Sequence, residues 1–433
     1  MAFPVIAIFV VLLVGHCYGG DTYKDNVDFT DFSWVQDSYP SMVRDRKETI
    51  EDVAPPGAEW ADVNRTFEEM VQARGFPVET HTVTTEDGYI LTLHRIPYGR
   101  SGPSENRPAV FVMHGLLSSS ADWIISGVDK GLAYLLADKG YDVWLGNARG
   151  NTNCRNHVNL DIKEDKEDFW NFSWHEIGYY DLPAMIDYVL EETKQDKIFH
   201  IGHSQGTTSF YVMASSRPEY NAKIRAHFSL SPVVYMNHLV SPMLRMAALV
   251  DRPLQNFLDL VGVYEFLPSS ELLSNFAIQF CADDAITQFL CKDALFALCG
   301  FSRKQMNATL LPILVAHTPA GSSTRQLVHY GQEINSGRFR RYDKGLLGNK
   351  ASYGSTKPPN YDLKKVTTPV YFFYSTNDWM SAETDVLKLE KLLPNFKGKF
   401  LNPDPKWNHL DYVYGIDAAK YVYTRVISLM SRH

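Results

Sequence analysis

The sequence predicts an α/β fold in which helices cover both faces of a mostly parallel central sheet. Three observations carry this prediction. Apolar strand patterns alternate with helical patterns from residue 109 to 231, and the alternation resumes from 369 to 430. Between these stretches, residues 235–354 hold mostly helix-like apolar segments. A Gly-x-Ser-x-Gly motif at residues 202–206 lies between a strand pattern and a helix pattern.

The first elements predicted are a helix and a β-hairpin. Residues 21–57 are polar and contain Pro, which indicates a loosely structured lead-in. A helix is predicted over 58–74, with Gly75 ending it. The segments 78–83 and 89–96 alternate polar and apolar residues on either side of a Glu-Asp-Gly turn, a pattern that is typical of a hairpin.

The elements that follow repeat strand and helix in the manner of a parallel sheet. Strands are predicted at residues 109–113, 141–145, 197–201, 226–231 and 369–374. Helices are predicted at residues 132–137, 175–192, 207–214 and 418–430. Helical pieces in the middle of the chain are predicted at 243–261, 271–281 and 284–299. Active sites of such sheets collect at the carboxyl ends of the strands, so the loops after the strands are the place to search for chemistry.

The chain divides into a leader, a core and an insertion. Residues 1–19 predict a secretory signal peptide, because their apolar run carries no charge and is short for a bilayer span. An uncleaved anchor is the alternative. The core is predicted over 20–234 and 355–433, and residues 235–354 are predicted to form a mainly helical cap or lid.

Several features agree with a secreted protein, with the lysosomal lumen as the alternative. Glycosylation sequons stand at Asn64, Asn171 and Asn307. Of the 5 cysteines, one lies in the leader. We expect one local disulfide, between Cys281 and Cys291, with Cys154 and Cys299 free or buried. The sequence alone leaves this connectivity open.

Composition argues against some classes of partner. The formal net charge is -8 and no basic stripe is visible, so nucleic acid is not an expected partner. No zinc- or calcium-binding spacing occurs, and no obligatory protein partner is evident. Because 45% of the residues are hydrophobic, the chain can build a large packed core.

Ser204 is the candidate nucleophile of a nucleophile elbow. Such an elbow strains the serine backbone, and the glycines at 202 and 206 leave room for the bend. A serine hydroxyl needs a base to take its proton and an acid to orient that base. In this fold class the chain order is Ser, acid, His. Asp378, after the last predicted strand, fits the acid, and His409, on a late loop before the last helix, fits the base.

Competing residues fit these positions less well. Asp385 lies further on and is predicted to be inside a helix, and Asp411 precedes no strand end. His433 is the chain terminus. His203 flanks the nucleophile, but its position in the elbow points the side chain away, so no chemistry is assigned to it.

The negative charge that develops on a carbonyl oxygen needs aimed donors, which backbone N–H groups provide best. One is expected from Gln205, directly after the nucleophile. The other is expected from Leu116, in the loop after the strand 109–113, where Gly115 allows a close approach. His114 is expected to brace this loop by hydrogen bonding.

These motifs resemble the acid lipase family of α/β-hydrolases, which includes gastric lipase, lysosomal acid lipase and invertebrate digestive relatives. The resemblance covers nearly all of the mature chain and rests on residues 114–116, 146–152, 202–206, 377–378, 409–412 and, in the insertion, 291–300 and 331–333. It implies an α/β-hydrolase fold, a triad of Ser204, Asp378 and His409, hydrolysis of acylglycerols or sterol esters, and no metal or organic cofactor. Cys281 and Cys291 resemble the family's cap disulfide. An invertebrate member is expected.

The insertion favours a lipid substrate at a membrane or droplet interface. Its apolar side chains exceed what a soluble protein leaves exposed, so part of them is expected to line an acyl groove under a mobile lid. Two alternatives stay open. A carboxylesterase for small soluble esters shares the elbow and triad, and a non-catalytic lipid carrier of the yolk type would show a damaged triad.

Overall fold

The computed structural model describes residues 60–249, 262–267 and 298–433. Several predictions lie outside these residues: the leader, the polar lead-in, the Cys281–Cys291 pair and most of the helical pieces between 250 and 297. The first of those pieces is described only in part, as a helix over Pro242–Leu249.

Every strand predicted from the sequence is present in the structure. Within the described residues they are β1 (Glu79–Thr84), β2 (Tyr89–Ile96), β3 (Ala109–Met113), β4 (Asp142–Gly146), β5 (Asn156–His157), β6 (Ile198–Ser204), β7 (Ile224–Pro232), β8 (Glu265–Phe266), β9 (Ser322–Ser323), β10 (Val370–Tyr374) and β11 (Phe396–Leu401). β8 and β9 form a separate antiparallel pair, and the others join one sheet.

The helices alternate with these strands. They are α1 (Phe67–Ala73), α2 (Leu132–Asp138), α3 (Lys166–Phe169), α4 (Trp174–Glu176), α5 (Leu182–Thr193), α6 (Gln205–Ser216), α7 (Pro242–Leu249), α8 (Leu311–His317), α9 (Thr324–Ser336), α10 (Gly345–Tyr353), α11 (Glu383–Glu390), α12 (Asp411–Tyr414) and α13 (Thr424–Met430). A π-helical turn at Ile177–Asp181 joins α4 to α5, and another at Ala419–Tyr423 precedes α13.

The sheet is mixed but mostly parallel, as predicted. Its order is β1-β2-β4-β3-β6-β7-β10-β11, with β5 pairing β2 at the side. Across the sheet in this order, β1, β2 and β4 pair antiparallel. The pairings β4-β3, β3-β6, β6-β7, β7-β10 and β10-β11 are parallel. The carboxyl ends of the central strands therefore meet at one edge of the sheet, which is where active sites of this architecture lie.

Two hydrophobic cores cover the two faces of the sheet. Side chains alternate along a strand, and β3 shows the consequence. Phe111 and Met113 pack into one core, with the helices that follow β4 and β6, while Val110 and Val112 pack into the other, with α2 and the C-terminal helix. A strand buried on both faces is uniformly apolar, which is why β3 was readable from the sequence.

The helix predicted over 58–74 is wrong in one respect, because the structure interrupts it at Thr66. A short 3-10 turn covers Trp60–Asn64, and α1 begins only at Phe67. The Thr66 hydroxyl accepts the Glu69 N–H, and the Glu69 carboxylate accepts the Thr66 N–H. This capping box fixes an extended backbone at Thr66 and so starts a new helix there.

Candidate active site

The Ser204 backbone adopts the strained conformation that a nucleophile elbow requires. Ser204 ends β6 and precedes α6, with φ 51° and ψ -118°. A Cβ atom on Gly206 would lie 2.4 Å from the carbonyl oxygen of Met113, and one on Gly202 would lie 2.8 Å from the Gly206 carbonyl carbon. Both positions therefore need glycine, because backbone atoms occupy the space of any side chain.

Three of the sequence-predicted residues meet in one hydrogen-bonded chain. The Ser204 hydroxyl lies 2.7 Å from His409 Nε2, and His409 Nδ1 lies 3.0 Å from each carboxylate oxygen of Asp378. Ser204 ends β6, Asp378 lies in the loop after β10, and His409 lies in the loop before α12. All three side chains are buried. A base placed between a hydroxyl and a carboxylate can remove the hydroxyl proton and have its own charge compensated.

Asp378 is surrounded by hydrogen-bond donors. Its Oδ1 accepts the N–H groups of Met380 and Ser381 at 3.0 and 2.9 Å, and its Oδ2 accepts the Ser231 hydroxyl at 2.5 Å. Burial alone would raise the pKa of Asp378, but His409 and these donors outweigh it and lower the pKa below its ordinary value. The carboxylate is therefore ionised and can orient the imidazole.

Ser231 is a member of this site that the sequence analysis missed. Its Oγ lies 2.7 Å from His409 Nδ1 as well as 2.5 Å from Asp378 Oδ2. Ser231 has a positive φ of 53°, close to the end of β7. A non-glycine residue in that region is uncommon and often marks a functional position. The only sequence signal is its place at the end of a predicted strand.

His203, to which no chemistry was assigned, touches the loop that carries the imidazole. Its Nε2 donates to the backbone carbonyl of His409 at 2.9 Å, and the two rings lie 5.0 Å apart. Burial lowers the pKa of His203 to about 3, so the ring is neutral over the ordinary pH range. His203 therefore acts on the position of His409 through the backbone.

Replacing His203 with Phe should lower kcat about 10- to 100-fold, because the His409 carbonyl loses its donor and the imidazole shifts. The buried carbonyl left without a partner should also cost about 1–3 kcal/mol of stability. His203→Gln is the matched control, since its amide can donate to the same carbonyl. The kcat of both variants on a soluble ester, with their melting temperatures, checks this. Equal kcat for His203→Phe and the parent protein would contradict it.

The loop after β3 passes directly over the nucleophile. A Cβ atom on Gly115 would lie 3.2 Å from the Ser204 Cβ. His114 braces the loop, as predicted: Nδ1 donates to the Gly115 carbonyl at 2.7 Å and Nε2 accepts the Ala148 N–H at 3.1 Å. Burial lowers the pKa of His114 to about 4, which keeps it neutral and able to accept.

The two candidate oxyanion donors flank this approach. Leu116 follows Gly115 in the loop, and its N–H makes no backbone hydrogen bond within the described part of the chain. Gln205 is the first residue of α6, where an N–H has no acceptor inside its own helix. The helix dipole adds a partial positive charge at that end.

The competing residues have other partners. Asp385 lies inside α11, as predicted, and its carboxylate accepts the His238 N–H at 2.9 Å. Asp411 accepts the Asn408 N–H at 2.8 Å, and burial raises its pKa to about 7. His433 bonds to the Tyr371 hydroxyl at the chain end. Among the described hydrogen bonds, none joins the two carboxylates to the His409 ring.

Of the remaining predicted residues, only Cys299 borders the triad within the described residues, because its carbonyl accepts the His409 N–H at 3.4 Å. Asn64 and Asn171 are exposed, whereas Asn307 is half-buried and its side chain accepts the Thr309 N–H at 3.2 Å. Cys154 and Cys299 are free and buried, as expected. Over the described ranges, no group of three His, Cys, Asp or Glu side chains is arranged to hold a metal ion.

Comparison with known proteins places the chain in a family. The model of the α/β hydrolase fold matches residues 108–415, and that of the partial α/β-hydrolase lipase region matches residues 67–127. "Lipase 3" of Drosophila melanogaster is 45% identical over 366 residues, which is 84% of this chain and 92% of that one. The chain belongs to the acid lipase family of α/β-hydrolases.

A second relative and a solved structure support the same assignment for this acid lipase family member. The human "Lysosomal acid lipase/cholesteryl ester hydrolase" is 36% identical over 375 residues, covering 86% of this chain and 92% of its own. A solved structure from Sulfolobus solfataricus shares the fold at a TM-score of 0.54 and 17% identity, over 82% of this chain and 94% of that one. The family, the fold and the activity of a carboxylic ester hydrolase are thus as predicted.

Proposed function

We propose that this lipase family member hydrolyses ester bonds of acylglycerols or sterol esters through an acyl-serine intermediate. One observation carries the proposal: Ser204, His409 and Asp378 form a continuous buried hydrogen-bonded chain, with distances of 2.7 and 3.0 Å. The relatives' names supply the substrate class, since one of them is a cholesteryl ester hydrolase.

The geometry supports a two-step acyl transfer. His409 Nε2 takes the Ser204 proton as Oγ attacks the ester carbonyl, and the Leu116 and Gln205 N–H groups bind the oxyanion. Asp378 compensates the charge of the imidazolium. The imidazolium then protonates the departing alcohol, which leaves an acyl-serine ester. Water attacks this ester with His409 again as the base, and the fatty acid leaves as Ser204 regains its proton.

A cap contact beside the nucleophile supports a lipid substrate. We take residues 235–354 as a cap on a core of 20–234 and 355–433, and α9 belongs to the cap. The Gln205 side chain donates to Gln326 Oε1 of α9 at 2.7 Å. The cap therefore borders the elbow, where it can shape a groove for an acyl chain.

A substrate panel tests the proposal: a long-chain triglyceride emulsion, a cholesteryl ester and short p-nitrophenyl esters, across pH. Acylglycerol or sterol ester hydrolysis should exceed that of the short esters, with a jump when a short triglyceride passes its solubility limit. Turnover of soluble esters only would make it a carboxylesterase. No turnover of any ester would point to a lipid carrier.

We also propose that the protein enters the secretory route, either for secretion or for the lysosomal lumen. The supports are the apolar leader of residues 1–19 and the two exposed sequons, together with the lysosomal name of one relative. No helix in the described ranges has the length and apolar character that a membrane span needs. Sequencing the amino terminus of protein from culture medium, and treating it with an N-glycosidase, tests this proposal.

Ser231→Ala should move the acid limb of the kcat/KM profile to higher pH. The Ser231 hydroxyl helps to hold the pKa of Asp378 low, so its loss raises that pKa and the carboxylate protonates earlier as the pH falls. Ser231→Gly also lacks the hydroxyl but relieves the positive φ, so it should shift the limb equally. An unchanged profile in both variants would contradict the assignment.

A further inference from the structure

Two adjacent leucines of the cap are exposed to solvent. Leu346 and Leu347 are 71% and 87% exposed, which makes them the most exposed large hydrophobic side chains among the described residues. They lie in the first turn of α10, in which only Asn349 is buried. A soluble protein rarely presents adjacent leucines so fully unless they meet a partner.

The helix that carries these leucines is held in place by hydrogen bonds of its buried residue, Asn349. Asn349 donates to Asp343 Oδ1 at 2.8 Å and accepts the Lys344 N–H at 2.9 Å. Asp343 is in turn fixed by Gln332 of α9, whose Oε1 accepts the Asp343 N–H at 2.7 Å. These hydrogen bonds fix the orientation of α10, and in that orientation the two leucines are exposed to solvent.

The chain segment that contains the leucines is strongly basic. The chain as a whole has a formal charge of -8, yet residues 338–357 contain six cationic residues and a single acidic one, Asp343. The cationic residues are Arg338, Arg340, Arg341, Lys344, Lys350 and Lys357. Asp343 pairs with Arg340 at 3.2 Å. Lys344 and Lys350, on either side of the leucines, are both exposed. Arg340 and Arg341 are half-buried, and Arg341 donates to His175 Nε2 at 2.7 Å. We therefore define the basic Leu-Leu surface as Lys344, Lys350, Leu346 and Leu347.

This surface is connected to the active site through α9. Gln326 of α9 accepts from Gln205, next to the nucleophile, and Gln332 holds Asp343 beside the surface. These two glutamines lie about 9 Å apart along the helix axis, at 1.5 Å per residue. The elbow and the segment that begins α10 thus both contact the same cap helix.

We propose that the basic Leu-Leu surface docks the enzyme on an anionic lipid surface, with Leu346 and Leu347 inserted among the acyl chains. The proposal rests on the proposed function, because a lipase must meet its substrate at an interface. The flanking cations face headgroup phosphates or carboxylates, each contributing about 1 kcal/mol near such a surface. Apolar insertion and electrostatic attraction then add, as in interfacial helices. A second copy of this chain fits poorly, since two basic surfaces repel each other.

Vesicle sedimentation tests the proposal on the purified protein. The wild type should bind phosphatidylcholine vesicles containing 30% phosphatidylserine at least about tenfold more tightly than pure phosphatidylcholine vesicles, and salt should weaken the binding. Leu346→Ser/Leu347→Ser and Lys344→Glu/Lys350→Glu should each weaken it at least about tenfold. Leu401→Ser, which changes a half-exposed leucine at the sheet edge, is the matched control.

Activity separates this proposal from the proposed function. Hydrolysis of a soluble short ester should be the same in all these variants, while hydrolysis in anionic emulsions should fall with vesicle binding. Ser204→Ala should bind vesicles normally, so a protein that binds but hydrolyses nothing would refute only the function. Equal binding by the Leu-Leu variant and Leu401→Ser would overturn the docking surface. A wild-type dimer that the Leu-Leu variant dissociates would overturn it as well, in favour of a contact between copies.

Discussion

Replacing Ser204 with Ala is expected to lower kcat on any ester by at least about four orders of magnitude. The hydroxyl that lies 2.7 Å from His409 Nε2 is then gone, so the proposed acyl-serine intermediate could no longer form. The fold should not change, because alanine fits where serine does. The kcat on p-nitrophenyl butyrate and on a triglyceride emulsion, with the melting temperature, checks this expectation.

A buried serine on the next helix supplies the control. Ser209 lies on α6, and its buried hydroxyl has no hydrogen-bond partner among the described residues. Ser209→Ala should therefore leave kcat within about twofold. A fluorophosphonate probe should label the parent protein and Ser209→Ala at Ser204, and leave Ser204→Ala unlabelled. Near-normal turnover by Ser204→Ala would show that another group is the nucleophile.

The candidate triad could be predicted from the sequence because each member has a local signal. The Gly-x-Ser-x-Gly motif marks Ser204, a buried strand precedes Asp378, and chain order leaves His409 as the base. Ser231 has only its place at the end of a predicted strand, with no motif and no position in the expected Ser, acid, His order. The pairing of β6 with β7 sets Ser204 opposite Pro232, which brings Ser231 beside the triad. That register is a property of the folded sheet.

Other features could not be predicted from the sequence, for physical reasons. The edge strand β11 reads Phe-Lys-Gly-Lys-Phe-Leu, and its lysines and glycine weaken a strand pattern while protecting the edge from pairing. The basic Leu-Leu surface escaped because the net charge of -8 is an average over the chain. The exposure of Leu346 and Leu347 depends on which face of α10 the cap covers, and periodicity does not decide that in a short helix.

A second large effect is expected at Arg149, a buried cation in the loop after β4. Its Nε donates to Asp181 at 2.7 Å, and its two terminal nitrogens bond to Asp87 at 2.6 and 2.8 Å. The guanidinium also lies 4.0 Å over the ring of Tyr89. Although burial lowers it, the two carboxylates raise the pKa of Arg149 above its ordinary value, so the charge is permanent.

Arg149→Met should therefore lower the free energy of unfolding by about 3–5 kcal/mol, because Asp181 would stay buried without its counter-charge. For a chain of this length, a fall in the melting temperature of roughly 3–6 °C is expected. Arg100→Met is the matched control: Arg100 pairs with Asp138 but is 59% exposed, so its loss should cost little. Equal melting temperatures for the two variants would contradict the prediction.

The same loop connects stability to catalysis, which makes a double variant informative. The N–H of Ala148, next to Arg149, bonds to His114, and His114 holds the loop that carries Leu116. Arg149→Met should thus also lower kcat on a soluble ester, even well below its melting temperature. Adding Asp181→Asn removes the orphaned charge and should recover part of the stability, with a coupling free energy above about 1 kcal/mol. Because the amide cannot restore the anchor of the loop, the lost kcat should not return. Recovery of both together would mean that Arg149 affects catalysis only through global stability.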